Sequence, residues 1–249
     1  MNKPLFDPQK GKMKVAGLLS GSGKSLIAII NRQKELEKQG ECNFEVVGLF
    51  SDNPKSQAEA IGTSNNLPFF INDIRAFYRS KGAKLNDLEI RREFDRQTVE
   101  FLKPLQPDVV VYAGYVWATV EPFVSAFMGI NCHPADLRVV RDGRRAYAGA
   151  NGVADALLAG ESQLHSTLHI VSPVIDHGPI LLVSTPVSVM DDGDMSFQDK
   201  MRYHLRLLNE HARDLFALAI EEISRGRFLM APNGEIIYNE KPIPKGFQL

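Results

Sequence analysis

The chain is poor in several things at once, and each scarcity removes a class of protein. It has only two cysteines in 249 residues, Cys42 and Cys132. They lie far apart and match no metal-ligand spacing, which argues against a disulfide scaffold and suits a reducing compartment. No stretch approaches the ~20 apolar residues of a membrane-spanning helix. Residues 1–8 carry no apolar core of signal-peptide length, so a soluble cytoplasmic protein is expected. Net charge is almost absent too: 29 Lys and Arg stand against 30 Asp and Glu. That balance gives no electrostatic reason to expect nucleic acid or an anionic membrane as partner. Repeats and low-complexity tracts are also missing. What remains is 44% apolar and 24% charged, an ordinary globular composition with enough chain for a well-buried core. A polar lead-in over residues 1–12, with two prolines, is expected to precede one domain over residues 13–249.

The apolar patterning alternates between strand and helix. Met13–Leu19 reads as a buried strand, followed by a glycine-rich turn and a helix from Leu26 to Gln39. Glu45–Phe50 reads as a strand, Ser56–Asn65 as a helix and Pro68–Ile71 as a short strand. Leu85–Leu105 carries helical spacing. Pro107–Ala113 is the clearest central-strand candidate, with a helix predicted over Val116–Phe127. A charged loop at Arg138–Arg145 and a small-residue helix at Ala148–Ala159 follow. Ser166–Val171 and Ile180–Val189 then read as a hairpin-like pair. Phe197–Ser224 is the longest amphipathic stretch, with Leu205, Leu208, Ala212, Leu215, Phe216 and Ile220 along one stripe. Asn233-Gly234 between two apolar triplets predicts a closing hairpin. This alternation points to an α/β fold with a Rossmann-like, doubly wound and mostly parallel sheet.

Two segments carry chemistry. In Asn131-Cys132-His133-Pro134, strand alternation puts Asn131 and His133 on one face and Cys132 on the other. Pro134 cannot donate to a sheet ladder, so the strand is expected to stop there. Both side chains then lie at a strand end, where open α/β sheets bind ligands. An amide can donate to a carbonyl oxygen that gains negative charge, and an imidazole can move a proton near neutral pH. Asp176, before Gly178-Pro179, offers a carboxylate that could orient that imidazole or its water, or simply pin a turn.

The second segment is Ser20-Gly21-Ser22-Gly23-Lys24-Ser25, between strand and helix. Free N–H groups and the helix dipole make such a turn an anion site for phosphate or carboxylate, with Lys24 as an added cation. The full P-loop pattern needs a glycine at position 18, which is Leu18, and a dinucleotide fingerprint needs one at position 26, which is Leu26. His165 and His169 share a strand face and raise a metal site with His133, Asp176 and His177. Strand histidines are more often structural, and no carboxylate-rich cluster accompanies them. Cys132 reads as a buried hydrophobe, and Trp117 as either a ring-stacking or a core residue.

Taken in order, these residues resemble the folate-dependent formyltransferases, most nearly the phosphoribosylglycinamide formyltransferase branch. The likeness rests on Leu19–Leu26, Pro107–Tyr115, Ile130–Pro134 and Ser166–His169 through Asp176–Pro179, with Gly234–Phe247 similar to that branch's closing hairpin. The resemblance implies formyl transfer from the co-substrate 10-formyltetrahydrofolate to a substrate amine, with no metal. Asn131 would be the oxyanion donor. His133 would serve as proton shuttle or electrostatic stabiliser. Asp176 would orient His133 and relay protons through water. Ser20, Gly21, Ser22, Gly23, Lys24, Ser25 and Glu210 would bind the substrate, although Glu210 on an amphipathic helix also reads as a solvated charge. Tyr115, Val116, Trp117, Ala118, Thr119, Val171, Val174 and Ile175 would line the folate pocket.

Departures from the family pattern bear on the acceptor. Ser22, Lys24 and Ser25 replace the usual Asn, Ser and Asn of the first loop. The usual Ser-Leu-Leu-Pro is here Ala135–Arg138, followed by Arg141-Asp142-Gly143-Arg144-Arg145, and His177 replaces a glycine. The added arginines suggest an anionic, phosphorylated acceptor. The partners expected are therefore a small-molecule amine and folate, with neither nucleic acid nor membrane. Two other readings stay open: formyltetrahydrofolate hydrolysis, and a phosphate- or nucleotide-binding α/β module without catalysis.

Overall fold

The computed structural model describes residues 1–190, 193 and 195–249. The chain forms two compact units, residues 6–130 and residues 1–5 with 131–249. The first unit contains β1 (Met13–Leu19), α1 (Lys24–Gln39), β2 (Phe44–Ser51), α2 (Ala58–Asn65) and β3 (Phe69–Ile71). It continues with α3 (Ile74–Ser80), α4 (Leu88–Leu102), β4 (Val109–Tyr112) and a single helical turn, α5 (Phe123–Ala126). Its strands lie in the order β4-β1-β2-β3, all parallel. Parallel strands are covered on both faces, which is why Val109, Val110 and Val111 are wholly buried in succession rather than alternately. An aromatic group formed by Phe50, Phe70, Phe77, Phe94 and Phe101 fills the space between β2, β3 and the helices α3 and α4.

Several helix ends follow capping chemistry. The Asp73 and Asp87 carboxylates accept the first free N–H groups of α3 and α4. Gly23 and Gly40 flank α1 in the left-handed region, and a Cβ on Gly23 would stand 2.6 Å from Ile61 Cδ1. The helix predicted over Val116–Phe127 shrinks to α5. Buried side chains take the backbone groups that a helix would have used: Ala118 O accepts from Arg91 Nε and Nη2 at 2.8 and 2.5 Å, and the Val120 N–H donates to Asp95 at 2.7 Å.

The division between the units falls inside β5 (Gly129–His133). The second unit adds α6 (Gly152–Leu158), β6 (Thr167–Ile170), β7 (Ile180–Val183), α7 (Phe197–Ser224), β8 (Phe228–Met230), β9 (Ile236–Tyr238) and β10 (Phe247–Gln248). β6 pairs antiparallel with β7, and β7 parallel with β10. The segment read as a charged loop is a tight hairpin, Val140–Arg141 against Arg144–Arg145. Val187–Ser188 does not extend β7 but pairs with Gln163–Leu164. α7 runs over the predicted residues, capped by Ser196, and buries Leu208, Ala212, Leu215, Phe216 and Ile220. The lead-in is not wholly irregular. Lys3–Pro4 joins a four-stranded sheet in the order Lys3–Pro4, β8, β9, Lys241–Pro242, each neighbouring pair antiparallel. Tyr238 Oη donates to the buried Glu222 carboxylate of α7 at 2.7 Å, tying that sheet to the helix. Parallel pairing dominates the central strands, and the fold is α/β as expected. Among the described residues no helix is long and apolar enough to cross a membrane.

Phe94 is fully buried and makes edge contacts to both Phe50 and Phe77. Phe94→Ala is expected to lower unfolding stability by about 3–5 kcal/mol through lost transfer energy and the cavity left behind. Urea denaturation measures this as a lower midpoint.

Candidate active site

β5 delivers two side chains to one face at its end. Asn131 is half-buried and His133 is buried, while Cys132 between them turns away, its thiol pushed well up by burial. They meet residues from β6 and from the turn that follows it. His133 Nδ1 lies 3.3 Å from Asp176 Oδ2, His169 Nε2 lies 3.4 Å from Asp176 Oδ1, and Asn131 Nδ2 lies 3.4 Å from His169 Nε2. Asp176 is thus set between two imidazoles. Its backbone has φ +55°, a left-handed conformation that aspartate tolerates better than most residues. Two residues on, Gly178 passes so close to Ile170 that a Cβ would stand 1.7 Å from the carbonyl oxygen. Only glycine allows the turn to fold back onto β6 there.

The hydrogen bonds determine which ring nitrogens carry protons. A carbonyl only accepts, so His133 Nε2 donates to Tyr147 O at 2.7 Å and His169 Nδ1 donates to Ile170 O at 2.9 Å. In neutral rings the remaining nitrogens, His133 Nδ1 and His169 Nε2, are bare acceptors. The His169 lone pair accepts from Asn131. The His133 lone pair faces a carboxylate oxygen, and one added proton there would turn an unfavourable contact into a charge-assisted bond. Burial dominates the balance and holds the His133 pKa below the ordinary histidine value, although Asp176 and Tyr147 O pull it upward and His169 and Arg145 push it down. Burial alone would raise the Asp176 pKa. The adjoining His169 and His133 rings, and the Gly149 N–H that donates to Oδ2 at 2.8 Å, outweigh this and bring it to about 2. The result is a neutral ring beside a fixed anion, ready to take up a proton.

The backing of the ring is equally close. A Cβ on Gly152, at the start of α6, would lie 2.6 Å from His133 Nε2 and 2.5 Å from Tyr147 O. Arg145 donates through Nη1 to Asp176 O at 2.6 Å. Of the predicted folate residues in this unit, Val171 is half-buried, and Val174 and Ile175 are 59% and 57% exposed immediately before Asp176. Glu210 is exposed on α7.

In the other unit, the Ser20–Ser25 loop presents Gly21, Ser22 and Lys24 to solvent at the start of α1, with Ser25 half-buried and Gly23 buried. The Ser20 hydroxyl is already committed: it donates to Asp52 at 2.5 Å and accepts from the Val116 N–H at 3.1 Å. Trp117 Nε1 donates to the other Asp52 oxygen at 2.8 Å, and Arg91 stacks over the indole. Burial raises the Asp52 pKa, and raises that of Asp95 to about 6. Tyr115 is buried against Tyr112, Val116 is 76% exposed, Ala118 is exposed, and half-buried Thr119 bonds Tyr112 Oη at 2.6 Å. The loop read as ligand-lining is therefore pinned from behind by Asp52, Arg91 and Asp95, none of which was singled out from sequence.

From sequence His169 belongs to a possible metal group and to the Ser166–His169 block of the family likeness, with no role of its own, whereas here it is the second partner of Asp176. Its position two residues after Thr167 on a buried strand is the signal that could have found it. His165 is turned elsewhere, Nδ1 donating to Ser184 O at 2.9 Å. Among the described residues no group of three or more histidine, cysteine, aspartate or glutamate side chains is arranged to hold a metal ion.

Comparison with known proteins adds to this geometry. The sequence pattern of the family described as formyl transferase matches residues 13–204. The phosphoribosylglycinamide formyltransferase of Mycobacterium tuberculosis is 30% identical over 196 residues, 78% of this chain and 80% of that protein. The Escherichia coli protein of the same name is 27% identical over 94% of this chain and 98% of its own length. Among solved structures, the phosphoribosylglycinamide formyltransferase of Coxiella burnetii superposes with a TM-score of 0.71 at 20% identity, covering 96% of this chain and 99% of that one. A glycinamide ribonucleotide transformylase from Symbiobacterium toebii gives 0.69 at 23% identity, covering 91% and 94%. Both likenesses bear on the fold.

The charge pattern has a pH consequence. Asp176 has its pKa depressed from the ordinary 3.8 to about 2, so its stabilising contribution is present above pH ~4 and is lost as pH falls through about 2. The depressed His133 pKa acts with the same sign, lost as pH falls below the ordinary histidine value. Asp176→Asn is expected to cost about 2 kcal/mol at pH 6 and progressively less towards pH 2. Urea midpoints of the two proteins across that range should converge.

Proposed function

The chain belongs to the formyl transferase family, and from that membership we propose that it carries a formyl group from 10-formyltetrahydrofolate to the amine of a small phosphorylated acceptor of the glycinamide ribonucleotide kind. The observation that carries this reading is the meeting of His133 and His169 on Asp176 at the end of a strand, with Asn131 against His169. The exposed apolar side chains of Val174 and Ile175 on the same turn suit a planar ring such as a pterin. Relatives named phosphoribosylglycinamide formyltransferase support the acceptor class.

Formyl transfer to an amine forms one C–N bond and breaks another, with no net change in protons. The acceptor nitrogen loses a proton, the carbonyl oxygen carries negative charge midway, and the departing folate nitrogen gains a proton. Asn131 Nδ2, in a long 3.4 Å contact with His169, donates to that oxygen as its charge grows. His133 takes up the amine proton at Nδ1 and hands it on, with Asp176 Oδ2 stabilising the imidazolium while it exists. Asp176 stays ionised throughout and can order a relaying water. The chemistry calls for neither a covalent nucleophile nor a metal. The Gly21–Ser25 turn at the start of α1, with Lys24, is suited to a phosphate, and Glu210 on α7 to the acceptor amine.

Release of tetrahydrofolate from 10-formyltetrahydrofolate tests the reading. It is followed spectroscopically with glycinamide ribonucleotide, with other phosphorylated amines and with no acceptor. Turnover is expected to require one phosphorylated amine. Asn131→Ala should lower kcat by ~10²–10³-fold, and His133→Ala by ~10²–10⁴-fold. Release without any amine would make the protein a hydrolase. No release, together with no folate binding by calorimetry, would sink the enzyme reading and leave a phosphate-binding module.

A further inference from the structure

The arginine-rich stretch after β5 is not a uniformly charged loop, and its four guanidinium groups have different surroundings. Asp142 and Gly143 both adopt positive φ, +49° and +74°, the two-residue turn that suits the twist of a tight hairpin. The register pairs Val140 with Arg145 and Arg141 with Arg144. Arg138 is spent on Asp136 at 2.7 Å and on Gln248. Arg141 bonds Tyr147 Oη at 2.9 Å and Glu161 at 3.3 Å, which anchors the turn end of the hairpin. Arg144 is exposed. Arg145, half-buried like Arg138, is turned to the Asp176 turn, donating through Nη1 to Asp176 O.

Residues 145–149 therefore grip the cluster at three points: Arg145 on the Asp176 carbonyl, Tyr147 O on His133 Nε2, and the Gly149 N–H on the Asp176 carboxylate. Two of these are backbone groups that almost any sequence could supply. The guanidinium is the one that brings charge. It anchors a residue in a left-handed conformation, which needs outside support, and it places a cation near a carboxylate and an imidazole. We propose that Arg145 is a positioning residue for the reaction, fixing the turn that carries Asp176 and setting the balance of charge around the His133 ring. This rests on the reading that Asn131, His133 and Asp176 act on a formyl group.

The charged and titratable groups facing His133 are Asp176 from the turn, His169 from β6 and Arg145 from the hairpin. Asp176 draws a proton onto the ring, whereas Arg145 and His169 oppose it. A neutral side chain at position 145 removes one opposing charge and one anchor of the turn. The ring then protonates at higher pH and the carboxylate is less well placed.

The test uses the full chain and three variants. Arg145→Gln and Arg145→Met remove the charge, the second keeping an apolar stem should the amide not be tolerated; Arg145→Lys keeps the charge without the planar fork. NMR titration of ¹⁵N-labelled histidine reads the His133 midpoint with no substrate present. The pH profile of kcat/KM then reads its use in turnover. In the neutral variants the midpoint is expected to rise by about half a pH unit or more. The acidic limb of kcat/KM should follow, and kcat at pH 7 should fall ~10-fold while acceptor KM stays within about twofold. Arg145→Lys should return the midpoint towards wild type. An unmoved midpoint with unmoved kcat overturns the proposal. A ~10-fold higher KM with unchanged kcat also overturns it, making Arg145 an acceptor-binding group. If wild type turns over no acceptor, the formyl-transfer reading fails by itself, while the titration still decides whether Arg145 sets the charge on His133.

Discussion

A carboxylate held between two imidazoles is the constraint on which the second unit's site depends. Asp176 is useful only if its two oxygens face His133 and His169 at once, and three features of the chain secure this. Its backbone sits in a left-handed conformation, Gly178 lets the turn close onto β6, and Pro134 ends β5 so that His133 stays at the strand's tip. Each is a backbone device, and each would fail with an ordinary side chain in place of glycine or a longer strand in place of proline. The polar chemistry is thus held by steric conditions in the main chain, with Gly152 extending the same close packing to the far side of the imidazole.

The first unit holds its exposed loop by the opposite means. Around residues 116–120 the backbone has no ladder of its own, and buried charges substitute for one. Arg91 binds Ala118 O, Asp95 binds the Val120 N–H, and Asp52 gathers Ser20 and Trp117. The substitution is incomplete, since Arg91 Nη1 and Asp95 Oδ1 are buried without a hydrogen-bond partner. Unsatisfied buried polar groups cost stability, and burial already lifts the Asp95 pKa to about 6. Such a loop is ordered by a few side chains that hold its backbone, Val116 N–H and Ala118 O included, while the Val116 and Ala118 residues stay exposed.

These two modes of support explain what could be read in the sequence. Elements governed by local periodicity and caps were legible: α7 over Phe197–Ser224, the Asn233-Gly234 hairpin, and the parallel core strands with their unbroken valines. The strand-end pair Asn131 and His133 was legible because alternation and proline act locally, and the formyl transferase family could be read from short blocks in order. The apolar spacing of Val116–Phe127 misled, because Arg91 and Asp95 lie more than 20 residues upstream and periodicity cannot register a backbone group taken by a distant side chain. Ser20 read as an anion ligand for the same reason, its hydroxyl being engaged by Asp52. α3 was not anticipated, although Asp73 before Ile74 is an ordinary cap signal. His169 was hidden by the base rate of structural strand histidines, and only the folded turn brings Asp176 beside it.

The small sheet formed by β8 and β9 ends on both sides in the same dipeptide, Lys3-Pro4 at one edge and Lys241-Pro242 at the other, all four residues exposed. An open edge is a template on which a second chain can add a strand. Here each edge is two residues long, carries a lysine charge and presents a proline that has no N–H to offer. The sheet is therefore closed to growth in both directions, so intermolecular strand addition has no foothold on this part of the chain.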